Sequence, residues 1–157
     1  MWKTVGVVVG GVIVGLVALA GVWFLGMRNK WGPVLDFQRK VNRKVVNPKQ
    51  MRSAGKPGAY AAVVRHVGRR SGVAYETPVV PFATADGFVI VLPYGARPDW
   101  VRNVLAAGTA ELVHEGETYR VCEPVVRAVQ PGELPEKELK GMRLFGNTEC
   151  LAVRHSS

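Results

Sequence analysis

Hydrophobic and polar positions alternate in three different ways along this chain. Residues 5–27, VGVVVGGVIVGLVALAGVWFLGM, contain no charged side chain. Residues 34–46 carry apolar side chains every three or four positions with basic residues between them, which predicts an amphipathic helix. From residue 59 onward, short apolar runs alternate with turns that contain glycine or proline, which predicts strands.

The uncharged run at residues 5–27 is long enough to cross a membrane. As a helix its length is about 35 Å, against a hydrocarbon core of about 30 Å. A cleaved signal peptide is the alternative, because Ala18-Leu19-Ala20 offers an A-x-A site. The apolar run continues beyond that site, however, and Lys3 is the one basic residue before the run. We therefore predict an uncleaved transmembrane anchor over residues 1–27.

Residues 28–58 are predicted to form a basic amphipathic helix and a linker. Apolar side chains recur at positions 34, 37, 41 and 45, and Pro48 with the turn-rich residues 53–58 is expected to end the helix. Two interpretations stay open. The helix packs against the sheet of the folded domain, or it lies on the membrane surface beside the anchor.

The positive charge is confined to the N-terminal part. Residues 1–58 carry ten Lys and Arg against Asp36 alone, whereas residues 59–157 carry eleven charges of each sign. A neutral folded domain argues against nucleic-acid binding. The basic cluster behind the predicted anchor places the C-terminal domain in the cytoplasm of a single-pass membrane protein, and it should attract anionic membrane lipids.

The remainder, residues 59–157, is predicted to be one mainly β domain with helices, of the α+β class. A helix is marked at residues 98–107 by a proline in its first turn and by Gly108 after its end. A second, polar helix is expected within residues 133–144. The predicted strands cover residues 59–67, 77–82, 87–92, 109–114, 118–128 and 150–153. Five or six short strands with one inserted helix indicate a small antiparallel barrel.

The sequence contains neither a metal-binding spacing nor a nucleophile with a base beside it. Cys122 and Cys150 are expected to be reduced thiols in a cytoplasmic domain. His66, His114 and His155 are scattered, and each is expected to be a strand or tail residue. No metal is predicted, and the catalytic residues are unknown.

Three segments carry candidate chemistry. The GRRSG loop, residues 68–72, offers two guanidiniums, a hydroxyl and glycine-exposed N–H groups, which suit a phosphate or a polycarboxylate, although a solvated hairpin turn is an equal alternative. Residues 92–97 join a strand to the start of a helix, where anions are attracted. Trp100 and Asn103 share one side of that helix. An anion site and an aromatic side chain without acid–base machinery fit a protein that carries a redox cofactor.

The order of three motifs, VGRRSGVAYETPVVPF, DGFVIVLPYG and PDWVRNVLAAGTAEL, resembles the deazaflavin-dependent nitroreductase family of actinobacteria. The likeness extends from about Val34 to the C-terminus. It implies a split β-barrel like that of the FMN-binding pyridoxamine-phosphate oxidases. It also implies the deazaflavin coenzyme F420 as cofactor and quinones or nitro compounds as acceptors.

Site residues follow from the same resemblance, position by position. It implies that the GRRSG loop holds the phosphate and polyglutamate tail of the coenzyme through Gly68, Arg69, Arg70, Ser71 and Gly72. It implies that the ring is lined at a strand start by Thr77 and Pro78 and that a second loop, with Tyr94 and Gly95, also meets the phosphate. A helix that carries Trp100 and Asn103 would close the site.

The sequence therefore predicts a membrane-anchored, F420-dependent oxidoreductase that passes a hydride to a lipophilic acceptor such as a quinone. One alternative is a reductase of the same fold that binds FMN. Another is a membrane-tethered protein without catalytic activity, in which Arg69 and Arg70 contact lipid phosphates. G-x-x-x-G spacings at Gly6/Gly10 and Gly11/Gly15 leave a homodimer open.

Overall fold

The computed structural model describes residues 2–93 and 95–156, with side chains from residue 12 onward. Its helices are α1 (Trp2–Arg28), α2 (Gly32–Val41), α3 (Asn47–Gln50), α4 (Asp99–Ala107) and α5 (Glu136–Leu144). Its strands are β1 (Ala62–Val67), β2 (Ala74–Val79), β3 (Pro81–Ala83), β4 (Gly87–Val91), β5 (Thr109–His114), β6 (Glu117–Ala128) and β7 (Glu149–His155).

The seven strands in the described residues form one antiparallel sheet that curls into a half-barrel. The strand order is β2-β1-β5-β6-β7-β4-β3, so β2 and β3 are the two edges. In a flat sheet these edges would lie roughly 29 Å apart, at about 4.8 Å per strand. Yet only Val80 separates β2 from β3 in the chain, and two residue steps reach about 7 Å. The sheet must therefore curl until its edges meet.

The predicted strand at residues 77–82 was wrong in one respect, because the structure divides it into β2 and β3. Up to Val79 the segment pairs with β1, and from Pro81 it pairs with β4. Proline lacks an N–H group and restricts the residue before it, so the ladder changes partner at Val80. The segment also begins earlier than expected, at Ala74, which pairs with Val67. The α+β class and the antiparallel, curled sheet are confirmed.

The basic helix runs two residues past Pro48 and ends at Gln50, before the turn-rich residues 53–58. A π-helical turn, Asn42–Val46, joins α2 to α3, and helical structure continues to Gln50. The Asn47 N–H donates to the carbonyl of Asn42, five residues earlier. Pro48 has no N–H to give to the carbonyl of Lys44 and would clash with it, so a widened turn before the proline lets the helix continue.

The core fills the inside of the curled sheet, and α4 packs against it. Val101 and Val104 of α4 are fully buried in a cluster with inward-facing strand residues such as Val64, Leu112 and Leu151. The helix ends as predicted at Gly108, whose φ of +70° is left-handed. Because Trp100 and Asn103 lie on the same helix, the packing of α4 fixes where their side chains lie.

Among its described side chains, from Val12 onward, helix α1 contacts the rest of the protein near its C-terminal end. Trp23 Nε1 donates to Gln38 Oε1 at 3.2 Å, Arg28 Nη1 donates to the carbonyl of Leu144 at 3.2 Å, and the rings of Trp23 and Phe24 pack on Phe145. By contrast, the large apolar side chains of residues 12–22 are exposed.

A membrane span was predicted over residues 5–27, of which residues 5–11 lie outside the described side chains. Within residues 12–156, apart from Tyr94, no single helix is long and apolar enough to cross a membrane. One pair of helical segments, Val12–Arg28 and Gly32–Gln50, has the length and composition of a membrane span when taken together, but it is bent by 102°.

Candidate functional site

A cleft of about 1090 Å³ brings most of the predicted site residues together. It is bordered by β2, the GRRSG loop, the start of α4, the end of β4, and the helix that runs from α2 to α3. The predicted residues that line it are Gly68, Arg69, Arg70, Ser71, Thr77, Pro78, Gly95, Trp100 and Asn103. Gly72 belongs to the same loop but is not part of the lining, and Tyr94 lies outside the described residues.

The GRRSG loop is a tight turn held by its two glycines. The Gly68 N–H donates to the carbonyl of Val73, and the Gly72 N–H donates to the carbonyl of Gly68, both at 2.8 Å. A Cβ on Gly68 would meet Ser71 Oγ and would come within 2.8 Å of a Tyr75 ring carbon. Gly72 has a φ of +66°, a left-handed conformation that other residues adopt only with strain.

Arg69 ties this loop to α4. Its backbone N–H and its guanidinium Nη1 both donate to Asn103 Oδ1, at 3.2 and 2.9 Å. Its Nη2 pairs with Asp99 Oδ1 at 2.9 Å. The guanidinium is therefore paired with two residues of α4, and these bonds position the loop.

A buried histidine continues this network inside the protein. His66 is 7% exposed, its Nδ1 lies 3.2 Å from Asn103 Nδ2, and its Nε2 lies 3.1 Å from Thr77 Oγ1. The Tyr75 ring stacks on the imidazole with centroids 5.8 Å apart. Burial lowers the pKa of His66 below the ordinary histidine value of 6.5, because the charged form loses hydration. His66 is therefore neutral at physiological pH.

Three cations in the cleft have no acidic partner among the described residues: Lys40, Arg43 and Arg70. The three acids that line the cleft are each bound to an arginine: Asp36 to Arg39 at 2.7 Å, Glu76 to Arg65 at 2.9 Å, and Asp99 to Arg69 at 2.9 Å. The cleft therefore has positive charge available at the GRRSG loop and on the helix that runs from α2 to α3.

The GRRSG loop also presents backbone donors. Within the described part of the chain, the N–H groups of Arg70 and Ser71 have no protein acceptor. Two neighbouring N–H groups beside the Arg70 guanidinium and the Ser71 hydroxyl are a donor set suited to a phosphate or carboxylate. Apolar and aromatic side chains of Pro78, Leu92 and Trp100 line the cleft between its charged sides.

Sequence reasoning missed three of these contributors. His66 was assigned to a strand, which is correct, but its two hydrogen bonds depend on partners 11 and 37 positions away. Lys40 and Arg43 were predicted to lie on the polar faces of the amphipathic helix, and in the structure they line the cleft.

No family model matches the chain, and no curated protein matches it. Eleven solved chains show a structural likeness. One, described as an F420-H2 dependent reductase (FDR-A), has 17% sequence identity and a TM-score of 0.35, over 54% of this chain and 72% of that one. A second has 13% identity and a TM-score of 0.40, over 68% and 76%. A third, described as a domain-swapped dimer, has 14% identity and a TM-score of 0.34, over 69% and 79%. Likeness this slight carries no conclusion about function.

Proposed function

We propose that the cleft binds the deazaflavin coenzyme F420 and that the protein is an oxidoreductase that reduces a lipophilic acceptor such as a quinone or a nitro compound. The observation that carries this proposal is the convergence of three separate motifs on one cleft. In the lining, residues of the GRRSG loop and Thr77-Pro78 come from the first motif, Leu92 and Gly95 from the second, and Trp100 and Asn103 of α4 from the third. These are the motifs through which the sequence resembles the deazaflavin-dependent family.

The residues present fit the size and charge of this coenzyme. Small-molecule pockets usually measure about 300–1,000 Å³, and the cleft, at about 1090 Å³, is large enough for a tricyclic ring with a long tail. A phosphate and a chain of carboxylates need several cationic groups. Arg70 provides one at the loop, Lys40 provides a second near the end of α2, and Arg43 provides a third on the π-helical segment.

The distribution of charge favours F420 over FMN. A single phosphate would be satisfied by the GRRSG loop, with Arg70 and the two unpaired N–H groups, and would leave Lys40 and Arg43 without an anion. A polyanionic tail can reach both sides of the cleft. FMN is therefore the second candidate, and the two basic residues of the helix distinguish them.

In this proposal the protein binds, orients and shields the coenzyme, and bound reduced F420 supplies the hydride. Arg70 and the loop N–H groups hold the anionic part of the coenzyme. Pro78, Leu92 and Trp100 provide an apolar wall against which a planar ring can lie. Arg69, held by Asp99 and Asn103, keeps the loop at a fixed distance from that wall.

We further propose that the protein works at the inner surface of the cell membrane, with α1 as its anchor. The exposed apolar side chains of residues 12–22 support this, because a solvated surface rarely carries so many. Lys44 and Lys49 are exposed, do not line the cleft, and are available to anionic lipid. An acceptor dissolved in the bilayer would then have a short path to the cleft.

The test is turnover by the full chain in lipid vesicles. Reduced F420 is added with either a membrane-dissolved quinone or a water-soluble one, and the return of the oxidised coenzyme's visible absorbance is followed. The proposal predicts oxidation that requires the protein and is faster with the membrane-dissolved quinone. Absence of protein-dependent oxidation with any quinone or nitro acceptor would reject the proposed activity.

A further inference from the structure

We propose that Arg69, Asn103, His66 and Thr77 form a hydrogen-bond chain with a fixed direction, which points the Thr77 hydroxyl proton into the cleft toward an acceptor atom of the bound ligand. His66 is then a positioning residue, because it acts on the ligand through Thr77. This inference rests on the proposed function for the identity of the ligand. The direction of the chain rests only on the geometry of the protein.

The direction is set at Arg69. A guanidinium and a backbone N–H can only donate, and both point at the same atom, Asn103 Oδ1, at 2.9 and 3.2 Å. This atom must therefore be the amide oxygen. The other end of the amide, Nδ2, can only donate, and it faces His66 Nδ1 at 3.2 Å.

The amide in turn fixes the tautomer of His66. Because Nδ2 of Asn103 donates, Nδ1 of His66 must accept and cannot carry a proton. The ring proton of the neutral imidazole is then on Nε2. A doubly protonated ring would place two N–H groups against each other and would bring a second positive charge close to Arg69, so the network excludes the imidazolium.

The last step transmits this direction to the cleft. Nε2–H of His66 donates to Thr77 Oγ1 at 3.1 Å, so the hydroxyl oxygen is already an acceptor. Its own proton has no acceptor within the described residues, and Thr77 lines the cleft. The proton is available for a ligand atom that accepts a hydrogen bond, such as a carbonyl or an aromatic ring nitrogen. Strand pairing holds Thr77 opposite Val64, which keeps the hydroxyl in register.

The arrangement makes a testable distinction between a positioning chain and a merely buried polar cluster. If His66 acts through Thr77, removing either residue should weaken ligand binding by the same factor. A single neutral hydrogen bond corresponds to about a fivefold to tenfold change in affinity. Removing both residues should then reduce the affinity no more than removing Thr77 alone, because His66 has no effect on the ligand once the Thr77 hydroxyl is absent.

The experiment is a double-mutant cycle on the full chain in detergent, with the affinity for F420 measured by the fluorescence of the coenzyme. The variants are Thr77→Val, which keeps the shape and removes the hydroxyl, His66→Phe, which keeps a ring and removes both nitrogens, and the double variant. His66→Gln serves as the conservative control, because its amide N–H can still donate to Thr77. We expect about a fivefold to tenfold loss in each single variant, the same loss in the double variant, and partial recovery in His66→Gln.

Two results would overturn the inference. One is a Thr77→Val variant that binds F420 as tightly as the unchanged protein, which would mean that the hydroxyl does not meet the ligand. The other is a double variant whose loss is the product of the two single losses, which would make His66 independent of Thr77. Circular dichroism of each variant checks that the fold is retained, and Thr77→Ala supplies a second variant without the hydroxyl if Thr77→Val does not fold.

A second measurement separates this inference from the proposed function. Nitrogen NMR of the His66 ring in the ligand-free protein reports the tautomer directly, and we expect the neutral form with the proton on Nε2. A proton on Nδ1, or an imidazolium at neutral pH, would overturn the chain even if F420 binds. If the unchanged protein binds neither F420 nor FMN while the ring is in the expected tautomer, the proposed function and the ligand assignment fail but the direction of the chain stands.

Discussion

Arg69 donates twice to Asn103, from its backbone N–H and from its guanidinium, and both bonds end on Oδ1. The amide therefore fastens the GRRSG loop to α4 at one point. This leaves Arg70, its neighbour, as the loop arginine whose charge is available to a ligand. Two adjacent arginines that are equivalent in sequence thus have different roles in the structure.

Substitution of the two arginines should separate these roles. Arg69→Ala should lower the free energy of unfolding by about 1–2 kcal/mol, because it removes a charge-assisted hydrogen bond to a buried amide. Arg70→Ala should leave the free energy of unfolding within about 0.5 kcal/mol but weaken F420 binding by about tenfold or more. Urea unfolding and fluorescence titration measure the two quantities.

The matched control is Arg102→Ala, which removes the same charge from an exposed position on α4 outside the cleft. It should change neither quantity appreciably. If Arg70→Ala and Arg102→Ala weaken binding equally, the loss reflects overall charge, and the role assigned to Arg70 is wrong.

Acidification should destabilise the protein through His66. Its pKa in the folded state lies below the ordinary value of about 6.5, so the unfolded chain takes up the proton first. Stability from this residue is complete above about pH 6.5 and is lost as the pH falls from there toward the folded-state pKa. The charged and titratable groups around the ring are Tyr75, which stacks on it, Arg69, which binds the same Asn103, and Asp99, which binds Arg69.

Chemical denaturation at a series of pH values between neutral and mildly acidic measures this effect. The His66→Phe variant should have a flatter stability profile than the unchanged protein over that range. Equal slopes for the two proteins would show that other groups cause the acid sensitivity.

Two pairs of basic residues on the helix from α2 to α3 should behave differently toward ligand and lipid. Lys40 and Arg43 line the cleft, whereas Lys44 and Lys49 do not. The Lys40→Ala/Arg43→Ala variant should bind F420 at least tenfold more weakly, and FMN nearly as well as the unchanged protein.

The control variant, Lys44→Ala/Lys49→Ala, should keep its affinity for F420 and lose part of its attachment to anionic vesicles in a flotation assay, by about 1 kcal/mol per residue. Loss of F420 binding in the Lys44→Ala/Lys49→Ala variant would mean that the coenzyme tail does not lie at Lys40 and Arg43.

The turn of the GRRSG loop should depend on Gly72. Gly72→Ala places a side chain at a φ of +66° and should cost about 1–2 kcal/mol of stability. Gly141→Ala, inside α5 with no atom near the added methyl group, should instead stabilise by about 0.5–1 kcal/mol. Thermal unfolding of the two variants measures these changes in stability. If Gly72→Ala is as stable as the unchanged protein, the loop relaxes into another turn.

The sequence was sufficient for most of the elements, and it was insufficient for the contacts among the candidate site residues. Period-two strands and the glycine and proline signals around α4 are local, so β4, β5 and α4 were predicted within one or two residues. The corner at Val80 was missed because an apolar segment can continue in one strand or change partner, and only the pairing decides.

The roles of Arg69 and His66 illustrate the same limit. Both make hydrogen bonds to Asn103, more than 30 positions away in the chain, through the packing of α4 on β1. Composition and spacing indicate which residue types approach a ligand. They do not indicate which of two neighbouring arginines is already paired.

The most direct test of the account is the affinity of the unchanged full chain for F420, measured by fluorescence titration beside FMN and beside the variant that lacks Lys40, Arg43 and Arg70. The account predicts saturable binding of F420, weaker binding of FMN, and loss of F420 binding by about a hundredfold or more when the three charges are removed. No saturable binding of F420, or binding that survives in the triple variant, would contradict the assignment of the cleft.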